Sequence, residues 1–223
     1  MKLIDIHSPQ DIKPLGIDDL KDLAKQMRAA IINYTSTIGG HVGPNLGDVE
    51  ALIGVHYVFD APKDKIVIDV SHQDFVHKML TGRAQYYLDK SMFTHIGEFT
   101  DPKESPEYDI FYAGHTSPSI SLAFGLAKAR SLKKENCNIV AFIGDGSLSG
   151  GVAFEGLNNA AKLNDNFIVI VNDNQSMIEF PEDSGAFQQP AHHKSICRHI
   201  PCPLVFGNNA GRSTERESPS AHG

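Results

Sequence analysis

Two short runs of mainly β-branched and aromatic residues, Asn138–Ile143 and Phe167–Val171, constrain the fold more than anything else in the chain. Neither alternates apolar with polar residues, so neither suits a strand with one wet face. Continuous apolar runs of this length belong to strands covered on both sides, as in parallel sheets. Between them Gly151–Leu163 is rich in small residues and reads as a helix. Strand, helix and strand then follow within about 35 residues, the spacing of a βαβ crossover. Lys65–Val70 is a third run of the same kind. The fold class expected is α/β, a parallel sheet flanked by helices.

Each run ends in polar residues: Ser71-His72-Gln73, Gly144-Asp145-Gly146 and Asn172-Asp173-Asn174. Open parallel sheets bind ligands outside the carboxyl ends of their strands, which makes these three places the candidate site. Upstream, Leu20, Leu23, Met27, Ala30 and Ile31 recur at helical spacing within Ile17–Ile38, and Asp18 and Asp19 suit the positive end of that helix. Gly39-Gly40 breaks it. A loop over Gly39–Gly47 leads to helices expected at Asp48–Val58 and near Asp74–Leu80. Gly82–Ala113 reads as irregular, and Ser119–Ser131 as a helix.

The formal net charge of −7 disfavours nucleic acid or an anionic membrane as the main partner. No apolar run approaches the roughly 20 residues that span a bilayer, and the first residues lack the pattern of a secretory signal. Cys137, Cys197 and Cys202 form no disulfide framework. A cytoplasmic domain is the expectation. It covers residues 1–179. Residues 180–223 are Pro-, His- and Ser-rich without helical or strand periodicity, which is expected of a loosely ordered tail or a frameshift product. His192, His193, Cys197, His199 and Cys202 do not have the spacing of a zinc site, because a single residue separates Cys197 from His199.

One crossover brings Asp145 and Asn174 to neighbouring strand ends. A carboxylate, an amide oxygen and a nearby carbonyl are what a hard cation such as Mg²⁺ takes alongside phosphate oxygens. The flanking glycines let backbone N–H groups approach a diphosphate, and Gly150-Gly151 open a helix whose N-terminus favours anions. Taken singly, the same residues could be ordinary Asx-rich turns closing strands.

The motif does not stand singly. GDG followed about 30 residues later by NDN resembles the thiamine-diphosphate fingerprint. Gly39–Gly47 (GGHVGPNLG), Asp69–Arg83 (DVSHQDFVHKMLTGR), Gly114–Ser121 (GHTSPSIS) and Gly144–Asn159 (GDGSLSGGVAFEGLNN) resemble, in order, four segments of the 1-deoxy-D-xylulose-5-phosphate synthases. The resemblance covers about residues 15–178. It implies that Asp145, Asn174 and the carbonyl of Ser176 ligate Mg²⁺. It implies that His72, Gly114, His115, Thr116, Gly146, Ser147 and Asn174 contact thiamine diphosphate. It implies that His41 and His72 face the reacting carbons, where histidine suits proton transfer. His56, His77 and His95 are read as structural. The implied reaction joins pyruvate and glyceraldehyde 3-phosphate with loss of CO₂, giving a precursor of isoprenoids and thiamine.

Ser71 stands where the family has glycine, and Pro44-Asn45 where it usually has Ser-Ser. These changes are expected on the substrate side of the loops. The family's pyrimidine-binding and C-terminal domains have no counterpart in this sequence, so the chain is expected to be inactive alone. A homodimer or a separate second-half subunit would complete it. A transketolase N-terminal subunit and a non-catalytic remnant acting by association are the alternatives.

Overall fold

In the computed structural model, residues 1–70, 73–114, 116–161 and 167–173 are described, together with the backbone of 204–208. The three apolar runs form β1 (Lys65–Ile68), β2 (Ile139–Gly144) and β3 (Phe167–Asp173). A fourth strand, β4 (Leu204–Asn208), extends the sheet, whose order is β1-β2-β3-β4 with every pairing parallel. Leu204–Asn208 lies within the tail, where the sequence shows no strand periodicity. This five-residue stretch is too short to announce itself by period and is extended through pairing with Val169–Asp173.

Alternate residues of the strands enter opposite cores, as the unbroken apolar pattern requires. Ile66, Ile68, Val140 and Phe142 join one cluster with Leu23, Met27, Ile31, Leu52 and Phe75. Val67, Ile139, Ala141, Ile143, Val169 and Val171 join another with Ile120, Ala123, Ala127, Ala153 and Leu157. The first face is covered by α1 (Ile17–Ile38), α3 (Val49–Val58) and α4 (Phe75–Lys78), the second by α6 (Ser119–Lys133) and α8 (Gly151–Ala160). Full burial of a side chain such as Phe142 stabilises the fold by about 1.5–3 kcal/mol. The small residues of α8 have a packing reason. A Cβ on Gly156 would lie 2.8 Å from Ser121 Oγ and 3.0 Å from Ile120 Cγ2, so glycine lets α6 and α8 approach.

The helix expected near Asp74–Leu80 is present, as α4 and the turn that continues it from Met79, and it ends in a kink at Thr81 and Gly82, where Gly82 takes φ +88°. Two local readings change. The Gly39–Gly47 stretch contains a short helix, α2 (Val42–Gly47). The stretch read as irregular holds α5 (Gln85–Leu88) and a 3-10 segment at Lys90–His95. Among the described residues no helix is long and apolar enough to cross a membrane.

Candidate functional site

The carboxyl ends of β1 and β2 are tied together before any ligand is considered. Asp69 N–H donates to the Phe142 carbonyl at 2.7 Å. The buried Asp69 carboxylate accepts from Ser119 N–H at 2.9 Å, capping α6 from 50 residues away. This bond fixes the start of α6, and with it the preceding Gly114–Ser117 loop, to the end of β1. Val70 follows at φ 58°, a left-handed conformation that a β-branched residue adopts only where its surroundings impose it. Gln73 returns over β2: its Oε1 lies 3.9 Å from the position of a Cβ on Gly144.

The glycine loops meet at the same place. Asp145 opens α7 (Asp145–Leu148) directly after β2, and its carboxylate, almost fully buried, accepts from Gly146 N–H at 2.9 Å. A Cβ on Gly150 would fall 2.6 Å from Ser117 Oγ, so the 144–150 segment touches the 114–117 loop. Ser117 itself takes φ 54°, while a Cβ on Gly114 would meet nothing within 4 Å. Gly114, Gly146 and Ser147 are half-buried and Thr116 is exposed. Gly144 is in register with Asn172, so Asp145 opens α7 just past the last paired residue of β2, and β3 ends one residue later, at Asp173.

Among the expected cofactor and metal residues, Gly114, Thr116, Asp145, Gly146 and Ser147 are thus brought to one end of the sheet. His72, His115, Asn174 and Ser176 lie outside the described residues. Asp145 fits the cation assigned to it in kind: one buried carboxylate, with hard oxygen ligands to be added by its neighbours and by phosphate, is a Mg²⁺ donor set. Among the described residues no cluster of three or more His, Cys, Asp or Glu side chains forms an alternative metal site. A groove of about 320 Å³ between α1 and α3, lined by Ile17, Leu20, Ile53 and Tyr57, shares no residue with this end of the sheet.

His41 stands at the N-cap of α2. Its Nδ1 lies 2.5 Å from Glu98 Oε1, and its carbonyl accepts from Asn45 Nδ2 at 2.7 Å. Asn45 Oδ1 in turn accepts from Phe75 N–H at 3.1 Å. Asn45 is fully buried, which corrects the expectation that this departure from the family pattern faces substrate. It joins the His41 loop to the segment that follows His72. Glu98 gave no signal in the sequence, since its partner is 57 positions away and no periodicity links them.

Beneath this loop lies a buried polar network drawn from the HKMLTGR segment. His56 Nε2 lies 3.0 Å from His77 Nδ1, and His77 Nε2 lies 3.0 Å from Asp109 Oδ1. Arg83 grips both Asp109 oxygens, at 2.6 and 2.8 Å. Burial alone would raise the Asp109 carboxyl, but the Arg83 and His77 hydrogen bonds outweigh it and hold it far below the usual carboxylate range. Burial keeps His56 and His77 neutral by pushing both imidazoles down, in agreement with their structural reading. Lys78, fully buried, donates to the carbonyls of Gly97 and Phe99 and to Glu104 Oε2, at 2.8, 2.7 and 2.8 Å. Close by, burial pushes the carboxyls of Asp48 and Asp74 well above the ordinary range, with repulsion from Asp74 adding to it at Asp48 and from Asp109 and Glu104 at Asp74.

A parallel sheet with glycine loops and an acid at its strand ends defines the class, the transketolase-like α/β fold. Transketolase from Campylobacter jejuni superposes with a TM-score of 0.62 over 86% of this chain and 38% of its own, at 18% identity. At that identity the likeness is one of fold. The sequence match is closer elsewhere: a family model described as 1-deoxy-D-xylulose-5-phosphate synthase matches residues 3–197. The synthase of Dictyoglomus turgidum is 49% identical over 178 residues, 80% of this chain and 29% of the relative. That of Carboxydothermus hydrogenoformans is 50% identical over 173 residues, 78% of this chain and 28% of the relative. The chain belongs to the 1-deoxy-D-xylulose-5-phosphate synthase family, and it spans less than a third of the length of these relatives. The family match also runs to residue 197, past the boundary drawn at 179 from composition.

Proposed function

We propose that this chain binds the diphosphate end of thiamine diphosphate through Mg²⁺. In that role it is the cofactor-binding part of an enzyme that makes 1-deoxy-D-xylulose 5-phosphate from pyruvate and glyceraldehyde 3-phosphate. The observation that carries the reading is the meeting of Asp145, the 144–150 glycine segment and the 114–117 loop at the carboxyl end of β2. Membership of the synthase family favours this reaction over that of the transketolase, which shares only the fold.

In this reading Asp145, Asn174 and the carbonyl of Ser176 hold the cation. Gly114, Thr116, Gly146 and Ser147, together with His72 and His115, would contact the diphosphate end of the cofactor. Thiamine diphosphate, when bound, supplies the carbanion and the electron sink for decarboxylation. The chain's own residues orient and move protons: His41, held by Glu98 and Asn45, and His72 face the reacting carbons. The other end of the cofactor and the substrate phosphate need groups from beyond these residues. The chain alone is therefore expected to bind the cofactor and not to turn over.

CO₂ release from pyruvate in the presence of glyceraldehyde 3-phosphate tests this. The chain is assayed by itself, at increasing concentration, and with a chain supplying the remaining length of a synthase relative. Activity only in the last mixture supports the reading. Activity that appears with self-association would mean that a second copy completes the site. Donation from ketose phosphates without CO₂ would replace the synthase by a transketolase.

A further inference from the structure

Five hydrogen bonds close a circuit around His41, and none of its other members belongs to the cofactor loops. The ring is bonded to Glu98, and the carbonyls of the two residues flanking Glu98 are held by one buried cation, since Lys78 Nζ donates to both Gly97 O and Phe99 O. Lys78 ends α4, whose first residue, Phe75, donates its N–H to Asn45. Asn45 closes the circuit on the His41 carbonyl. Glu104 braces the same turn, accepting from Lys78 and from Gly97 N–H at 2.7 Å. A Cβ on Gly40 would lie 3.8 Å from Glu98 Oε1 and 3.9 Å from Phe75 Cζ, so the backbone beside His41 runs next to both arms of the circuit.

An ionised carboxylate only accepts hydrogen bonds, so whenever Glu98 is ionised and the His41 ring carries a single proton, the 2.5 Å contact places that proton on Nδ1. The lone pair is then on Nε2. We infer that Glu98 is a positioning residue that sets the tautomer and ring orientation of His41, and that buried Lys78 presents it. The inference rests on the reading of His41 as a proton-handling residue. It adds that the HKMLTGR segment serves the chemistry through Lys78, 26 residues before the last member of its brace, without touching a ligand itself. Both side chains of the His41–Glu98 pair are partly exposed, so the pair contributes little to stability and its consequence is geometric.

The tautomer is readable without cofactor or turnover. The full chain is labelled with ¹⁵N, and long-range ¹⁵N–¹H correlations of the imidazoles are recorded at a pH where histidine is neutral. His41→Gln identifies the His41 signals. The wild type is expected to carry the proton on Nδ1. Glu98→Ala is expected to shift the majority of His41 to the Nε2–H form, and Glu98→Gln, which keeps an acceptor oxygen, to retain more Nδ1–H than Glu98→Ala. The same Nε2–H majority in wild type and Glu98→Ala, or an Nδ1–H majority in both, overturns the inference. Binding of Mg–thiamine diphosphate by the same samples tests the functional reading separately. A tautomer that follows Glu98 in a chain that binds no cofactor would leave the positioning role standing and remove the function proposed for it.

Discussion

Replacing Lys78 by methionine tests the brace where its energy is concentrated. Methionine keeps most of the volume of the aliphatic stem and removes the ammonium. Three acceptors lose a charged donor: the carbonyls of Gly97 and Phe99 and Glu104 Oε2. Breaking a buried ion pair by removing one partner costs about 3–5 kcal/mol. Glu104 is not abandoned, since it still accepts from Gly97 N–H and lies 3.4 Å from Arg83 Nη1. The lower end, about 3 kcal/mol, is therefore expected. For a chain of this size that lowers Tm by roughly 6–12 °C. Urea titrations followed by circular dichroism measure the loss. Glu104→Gln, alone and combined with Lys78→Met, gives the coupling, and the double variant should lose less than the sum of the singles. A loss below about 1 kcal/mol, or strictly additive losses, would refute the view that Lys78 organises the 97–104 segment.

Gly82→Ala meets two penalties, a positive φ of 88° and a Cβ placed 2.6 Å from the His7 carbonyl oxygen. Together they should destabilise by about 2–4 kcal/mol in the same titration. Asp48 and Asp74 are buried with carboxyl oxygens that lack hydrogen-bond partners among the described residues, and their folded-state pKa values are raised. Their contribution is complete below about pH 3.9 and is lost as pH rises through the folded values, so Asp48→Asn should gain stability over wild type progressively with pH. Denaturant midpoints at pH 5, 7 and 9 check this, and a gain that shrinks with rising pH would reverse the sign. Gly150→Ala would press a Cβ to 2.6 Å from Ser117 Oγ, and calorimetry should find thiamine diphosphate binding weakened by about tenfold, or roughly 1.4 kcal/mol.

The sheet was legible because its strands are covered on both faces and so carry unbroken apolar runs. Helix α1 was legible to the residue, from Ile17 to Ile38, because a long amphipathic stripe ends at a glycine pair. The strand-end site followed from topology, since Gly144-Asp145-Gly146 had to close β2. Short-range readings failed where tertiary bonds override local pattern. Helix α2 forms in a glycine-rich loop whose Asn45 side chain is tied to Phe75, and Leu204–Asn208 becomes a strand only by pairing with β3. Glu98 and Lys78 were beyond sequence reasoning for a related cause. An exposed acid and a buried lysine have no period, and their partners lie 57 and 26 positions away.

In the function proposed, Asp145 anchors a cation-bridged diphosphate at the end of β2. Isothermal titration of the full chain with thiamine diphosphate, with and without Mg²⁺, tests it most directly when wild type and Asp145→Asn are compared. Binding by the wild type is expected to require Mg²⁺, and the folded variant to bind at least tenfold more weakly, since losing a charge-assisted ligand costs more than about 1.4 kcal/mol. Binding that ignores Mg²⁺, or an Asp145→Asn chain that binds as well as the wild type, would contradict it.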